Sequence, residues 1–192
     1  MSGDRSLAAV LYAQVSDLSA LGSAPENWRR QIEEDVAVMR GVASRNDGQL
    51  LRAENGRIQM VFGNSVHAVT TALELQGIFT RSHNSGPIKL NYSFGAHFGE
   101  VALAIDQASG EAVEIAYRVQ LMAASRSIWV SGSVMEGIKG RLPVIGMPKG
   151  FRVLKDIGKT VAVFELVQGL GPIERVAKRW RLSKVAPAWA GC

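Results

Sequence analysis

Glu114 and Arg118 stand four residues apart in a segment of helical periodicity, with the acid N-terminal to the base, the orientation that favours a helical ion pair. A free arginine at this place suits phosphate, because its planar guanidinium donates two parallel hydrogen bonds. Paired with Glu114, Arg118 is held away from such a ligand. Exposed pairs of this kind contribute only about 0.3 to 0.5 kcal/mol, and the pair reads as structural. Asp17 and Glu54 fall in turns, where acids stabilise the backbone or face solvent. His67, His83 and His97 have no cysteine or histidine at metal-ligand spacing. His97 is expected to pack at a strand end, and the Gly95 to Gly99 spacing reads as turn geometry, since a strand pattern and not a helix follows it.

The elements that must position these residues follow from pattern. Leu7 to Val15 is an apolar run of strand length, and Ser23-Ala24-Pro25 offers a helix start with proline in the first turn. Trp28, Ile32, Val36, Met39 and Val42 or Ala43 recur at helical spacing and leave Arg29, Arg30, Glu33 and Glu34 outward. Strands over Gln49 to Ala53 and Ile58 to Phe62 flank Asn55-Gly56, a dipeptide suited to a tight hairpin. A helix is predicted from Ser65 to Phe79, ended by Ser85-Gly86-Pro87. Strands over Ile88 to Gly95 and Glu100 to Ala104 are predicted as a second hairpin, followed by a helix from Glu111 to about Ala124. Ile128 to Ser131, a short helix to Lys139, a glycine and proline loop, and strands near Arg152 to Leu154 and Thr160 to Val167 complete the domain. Strands and helices interleaved with hairpins predict an α+β sandwich of ferredoxin-like type, an antiparallel-rich sheet with flanking helices.

The 192 residues, 47% of them hydrophobic, fit one domain over 1–168 with an appendage over 169–192. The longest apolar runs are far short of the roughly 20 residues that cross a bilayer, and no secretory leader pattern opens the chain, so a cytoplasmic protein is expected. Its one cysteine, Cys192, has no partner within the chain, which agrees with a reducing compartment. The net charge of +5 is concentrated in the appendage, where Arg175, Lys178, Arg179, Arg181 and Lys184 face a single acid, Glu174. This distribution argues against specific nucleic-acid binding by the domain itself. Ile173, Val176, Ala177 and Trp180 recur at helical spacing and predict a short basic amphipathic helix. That helix either packs Trp180 on the sheet or meets an acidic membrane surface or a partner. Ala186-Pro187-Ala188-Trp189 reads as a linker of a longer protein.

Five segments, in order, carry a family resemblance. LAAVLYAQVSDLS from Leu7 resembles the FADVVGFS strand of class III adenylate and guanylate cyclases, and residues 47–62, DGQLLRAENGRIQMVF, resemble the GGRIVKTTGDGLLAEF hairpin. GAHFGEV at 95–101 is similar to GIHTGEV, a turn between strands, and GEAVEIAYRV at 110–119 to the GDGVNIAARL helix. IWVSGSV and VLKDIGKTVAVFEL follow the closing strands, so the likeness covers roughly residues 7 to 166.

The resemblance implies that Gln14 and Gly56 stand where such cyclases carry their two metal-binding aspartates. Glutamine is a neutral, weak ligand and glycine has no side chain, whereas a magnesium site that gathers a triphosphate ordinarily uses carboxylates. It further implies nucleotide-binding places for Arg52, Gln107 and Lys155, a transition-state role for the Arg118 position, and a Glu114 that replaces the family asparagine. The expectation is a catalytically degenerate cyclase domain that signals through dimerization or partner binding, with no cofactor, and with Mg2+ or Mn2+ only if it is active. The alternative is a cyclase subunit supplying Arg52, Arg118 and Lys155 to a composite nucleoside triphosphate site with a metal-competent partner. Polyanion binding through the tail is a third reading. Implied partners are a homodimer copy or another cyclase-type domain.

Overall fold

The computed structural model describes residues 4–16, 25–85, 90–104 and 107–168. Its elements are β1 (Asp4–Val15), α1 (Pro25–Arg45), β2 (Gly48–Glu54), β3 (Arg57–Phe62), α2 (Ser65–Ser85), β4 (Tyr92–Ala104), β5 (Gln107–Ser109), α3 (Glu111–Met122), β6 (Ile128–Ser131), α4 (Gly132–Ile138), β7 (Val144–Leu154) and β8 (Lys159–Gln168). They build one sheet in the order β2-β3-β1-β4-β6-β8-β7, with β5 paired to β4. The first four long strands lie side by side as β2-β3-β1-β4, all antiparallel, with α1 and α2 as crossovers, which is the ferredoxin-like βαββαβ unit. β6 then adds parallel to β4, and β8 and β7 extend the sheet antiparallel.

Strand alternation divides the core. Ala9, Leu11, Ala13 and Val15 of β1 pack with Met39, Val42, Val69 and Leu75 under α1 and α2, while Ala8, Val10 and Tyr12 pack with Val113 and Ala116 under α3. Each large aliphatic side chain buried this way stabilises the fold by about 1.5 to 3 kcal/mol. The helical stripe from Trp28 to Ala43 does face this core, with Met39, Val42 and Ala43 fully enclosed.

Three segments differ from the sequence pattern. Residues 95–101 are not a turn and do not separate two strands; they lie within β4, which pairs with β1 at every position from Tyr92 to Ala104's neighbour Leu103. The glycines that suggested a turn have another purpose. A Cβ on Gly95 would lie 2.2 Å from the Gln120 backbone nitrogen, so its lack of a side chain lets α3 sit directly on β4. The second hairpin is instead β4 with the short β5, which three residues of weak pattern did not reveal. The glycine and proline loop is largely β7, whose ladder with β8 absorbs Pro148 and Gly150 in an irregularity of register. The appendage over 169–192, with its predicted basic helix, lies outside the described residues.

Gly95→Ala is therefore expected to cost about 2 kcal/mol or more, because backbone rather than a movable side chain opposes the new methyl group. Urea denaturation of the two chains measures this directly.

Candidate functional site

A cleft of about 420 Å³ opens between the β2–β3 hairpin, β5 and the first turn of α3, lined among others by Tyr12, Arg52, Arg57, Gln59 and Glu114. Arg52 is exposed and ion-paired with Glu54 at 2.9 Å, so Glu54 is a partnered hairpin acid. The Arg57 guanidinium lies 4.3 Å from the centre of the Tyr117 ring, which in turn contacts Tyr12 with ring centres 5.6 Å apart. The Tyr12 hydroxyl is pushed above its ordinary range, first by burial and then by the Glu114 carboxylate, while Arg57 and Arg52 oppose the shift. β5 forms the rim: Ala108 and Ser109 line the cleft, and Gln107 is exposed at the strand's start. The structure thus brings Arg52, Glu114 and the β5 rim together.

Arg118 and Lys155 belong to a different place. Arg118 donates from Nη2 to Asp156 Oδ2 at 3.0 Å, and no ion pair joins it to Glu114, contrary to the expectation from their spacing. The physical reason is tertiary. The β7–β8 turn folds over α3 and presents Asp156, a partner 38 residues away that a four-residue spacing rule does not see. Lys155 is exposed in that same turn, whose closing residue Lys159 is tied to Glu111 at the start of α3.

Gln14 and Gly56 are neighbours, since Val15 N donates to Gly56 O at 3.0 Å, but their side-chain directions lie on opposite faces of the sheet. Gln14 follows Tyr12 on the α3 face, opposite Ser93 in the β1–β4 register, and its Oε1 is buried without a hydrogen-bond partner among the described residues. Gly56 ends a two-residue turn, Asn55 (φ 51°) and Gly56 (φ 74°), between the paired Glu54 and Arg57. Left-handed angles at both positions are those of the tight hairpin that Asn-Gly favours. A Cβ on Gly56 would lie 3.4 Å from Val15 and 3.7 Å from Ile32, on the α1 face. Among the described residues, no three of histidine, cysteine, aspartate and glutamate gather as a metal ion would require, and Asp17 lies outside them.

His97 sits within β4, not at a strand end, and is mostly buried. Its Nδ1 is 2.8 Å from Ser131 Oγ and 3.3 Å from Ser133 Oγ. Burial is the main cause that brings its pKa down to about 4, with Glu111 opposing and Lys159 adding to the shift. The sequence reading missed Asp35, which is buried and accepts from Tyr92 Oη at 2.9 Å and Gln31 Nε2 at 3.1 Å. Burial and then the Asp35 carboxylate push the Tyr92 hydroxyl far above its usual range. The signal was present, since Asp35 lies four residues before Met39 on the apolar stripe of α1.

Comparison with known proteins shows that this sheet and its flanking helices have the fold of adenylate and guanylate cyclase catalytic domains. The chain is 23% identical over 171 residues to "Putative adenylate cyclase 3" of Rhizobium meliloti (strain 1021), covering 83% of this chain and 28% of that protein's length. An adenylate/guanylate cyclase/hydrolase from Silicibacter pomeroyi superposes with a TM-score of 0.77 at 22% identity, covering 85% of this chain and 98% of the other. The non-canonical dimeric guanylyl cyclase domain of the RhoGC fusion protein from Blastocladiella emersonii gives 0.74 at 13% identity, covering 86% and 98%. No protein-family model matches the chain. No helix among the described residues is long and apolar enough to cross a membrane.

Because the fold holds His97 neutral, the unfolded chain takes up a proton near pH 6.5 that the folded chain refuses until about pH 4. Stability from this group is complete above about pH 6.5 and is lost as pH falls toward 4, by roughly 3 kcal/mol in total. Urea midpoints across that window are expected to fall for the native chain, and His97→Asn is expected to remove most of the slope.

Proposed function

We propose that this chain is a catalytically silent cyclase-type domain that acts in signalling by pairing with a second cyclase-type domain. The observation that carries the reading is the opposite facing of positions 14 and 56. A divalent cation that gathers a triphosphate is best served by convergent carboxylates. Here one position offers a neutral amide toward α3 and the other offers no side chain, with its Cβ direction toward Val15 and Ile32. The donor set does not fit Mg2+ or Mn2+. Glu114 adds a negative charge to the cleft that Arg52 and Arg57 line, which further disfavours a triphosphate.

The partner surface is read from β7, which forms an edge of the sheet and pairs only with β8 among the described residues. Ile145 and Met147, 54% and 49% exposed, lie on one face of it, and past the register irregularity at Pro148/Gly150 Phe151 and Val153, 74% and 67% exposed, lie on the other, apolar exposure that an isolated domain ordinarily avoids on a strand edge. That one structural neighbour is a dimeric guanylyl cyclase domain supports pairing as such. A second reading, a subunit lending cations to a competent partner, is favoured by one observation: Arg118 and the Lys155 turn lie together at the surface.

Cyclic nucleotide synthesis from ATP and GTP with manganese tests the proposal. The native chain and Gln14→Asp are both expected to give no product, since position 56 stays without a ligand. Product from the native chain alone overturns the reading, and product only on mixing with a metal-competent cyclase domain moves it to the lent half-site. Phe151→Asp is expected to convert a dimer into a monomer by sedimentation velocity while leaving the circular dichroism spectrum unchanged. An unaltered dimer would remove β7 from the interface.

A further inference from the structure

A second cavity, about 210 Å³, lies on the α3 face and is lined by Gln14, Val15, Ser16, Ser93, Gln120, Leu121, Ala123 and Ser125, of which Gln14, Ser16 and Gln120 matter most. Ser93 stands directly opposite Gln14 in the β1–β4 register. Gln120 is 3% exposed and donates from Nε2 to Ser93 Oγ at 3.0 Å, which turns its Oε1 away from that bond. Gln14 Oε1, Ser16 Oγ and Gln120 Oε1 are all buried, and none has a hydrogen-bond partner among the described residues. Three such oxygens at one cavity form a set that wants positive charge or donated protons, because an unsatisfied buried polar atom costs on the order of 1 to 3 kcal/mol. The absence of a side chain at Gly95 lets the Gln120 backbone sit directly on β4, and the bond to Ser93 holds the Gln120 amide.

The chemistry of the set narrows its ligand. Among the described residues the lining has no cationic side chain to attract an anion. Among the described residues it has no carboxylate either, and divalent cations that dehydrate reluctantly need at least one or two. Carbonyl and hydroxyl oxygens without formal charge are the ligands that replace the weaker hydration shell of a monovalent cation. We infer that the Gln14–Ser16–Gln120 cavity binds a monovalent cation of the potassium or ammonium class, with water completing its shell. Cation binding here would fasten the end of β1 to α3, because its ligands come from both elements. The inference goes beyond the silent-domain reading and is independent of whether nucleotide binds.

Thermal unfolding of the full chain in KCl, NH4Cl and tetramethylammonium chloride, at matched ionic strength, tests it. A ligand that binds only the folded state raises stability with the logarithm of its concentration. The expected result is a melting temperature that climbs about 3 to 5 °C for each tenfold rise in K+ or NH4+ above saturation, and not with tetramethylammonium. Gln120→Met and, separately, Ser16→Ala are expected to flatten that dependence. Equal melting temperatures in all three salts would mean that water alone satisfies these oxygens and would overturn the inference. An unchanged potassium dependence in both variants would do the same. Should Gln120→Met fail to fold, anomalous scattering from crystals grown in RbCl decides, with a peak at Gln14 Oε1 expected and none there contradicting the proposal.

Discussion

Strand β1 is paired on both edges, by β3 and by β4, and this double ladder fixes the side on which every one of its residues projects. A slip of one residue would exchange the two faces, turning Leu11 and Ala13 toward α3 and driving Tyr12 and Gln14 under α1 and α2, so the register is strongly specified. The consequences reach the whole molecule. α3 packs where Ala8, Val10 and Tyr12 emerge, Gly95 lets it settle on β4, and Gln14 is left facing Ser93 and Gln120 rather than the hairpin turn. The turn at Asn55-Gly56 is equally constrained, because left-handed angles at both residues set the direction of any side chain there.

Two clusters of polar groups result, with different characters. The cleft beside Tyr12 holds charges of both signs, so Arg52 finds Glu54 and the Glu114 carboxylate raises the tyrosine hydroxyl. Among the described residues the cavity beside Gln14 is lined by side chains without formal charge. Between them α3 carries Glu114, Arg118 and Gln120, one residue for each of three surroundings, because successive turns of the helix meet β5, the β7–β8 turn and β4. Arg118 illustrates how a side chain suited to phosphate becomes committed elsewhere: its bond to Asp156 is exposed and weak, but it holds the guanidinium against the β7–β8 turn.

Much of the fold was legible because its period and turn signals were strong. The Trp28 to Ala43 stripe, the Asn55-Gly56 hairpin and the alternation in β1 each combine pattern with a local mechanism. What misled was glycine. In GAHFGEV and around Gly146 to Gly150 it marks close approach and ladder irregularity within long strands, and sequence alone does not separate these from turns. The candidate site was legible in its members more than in its geometry. Arg52 and Glu114 share a cleft, but the partner of Arg118 and the company of Gln14 depend on contacts between distant segments. Asp35 was readable in principle, as a carboxylate on an apolar stripe that must find the Tyr92 hydroxyl once buried.

A silent domain of the kind proposed has no divalent metal centre at positions 14 and 56. Titration of the native chain with Mn2+, followed by electron paramagnetic resonance of the free ion, tests it without reference to turnover. No saturable binding beyond weak surface association is expected. A stoichiometric Mn2+ site that Gln14→Leu abolishes would contradict it.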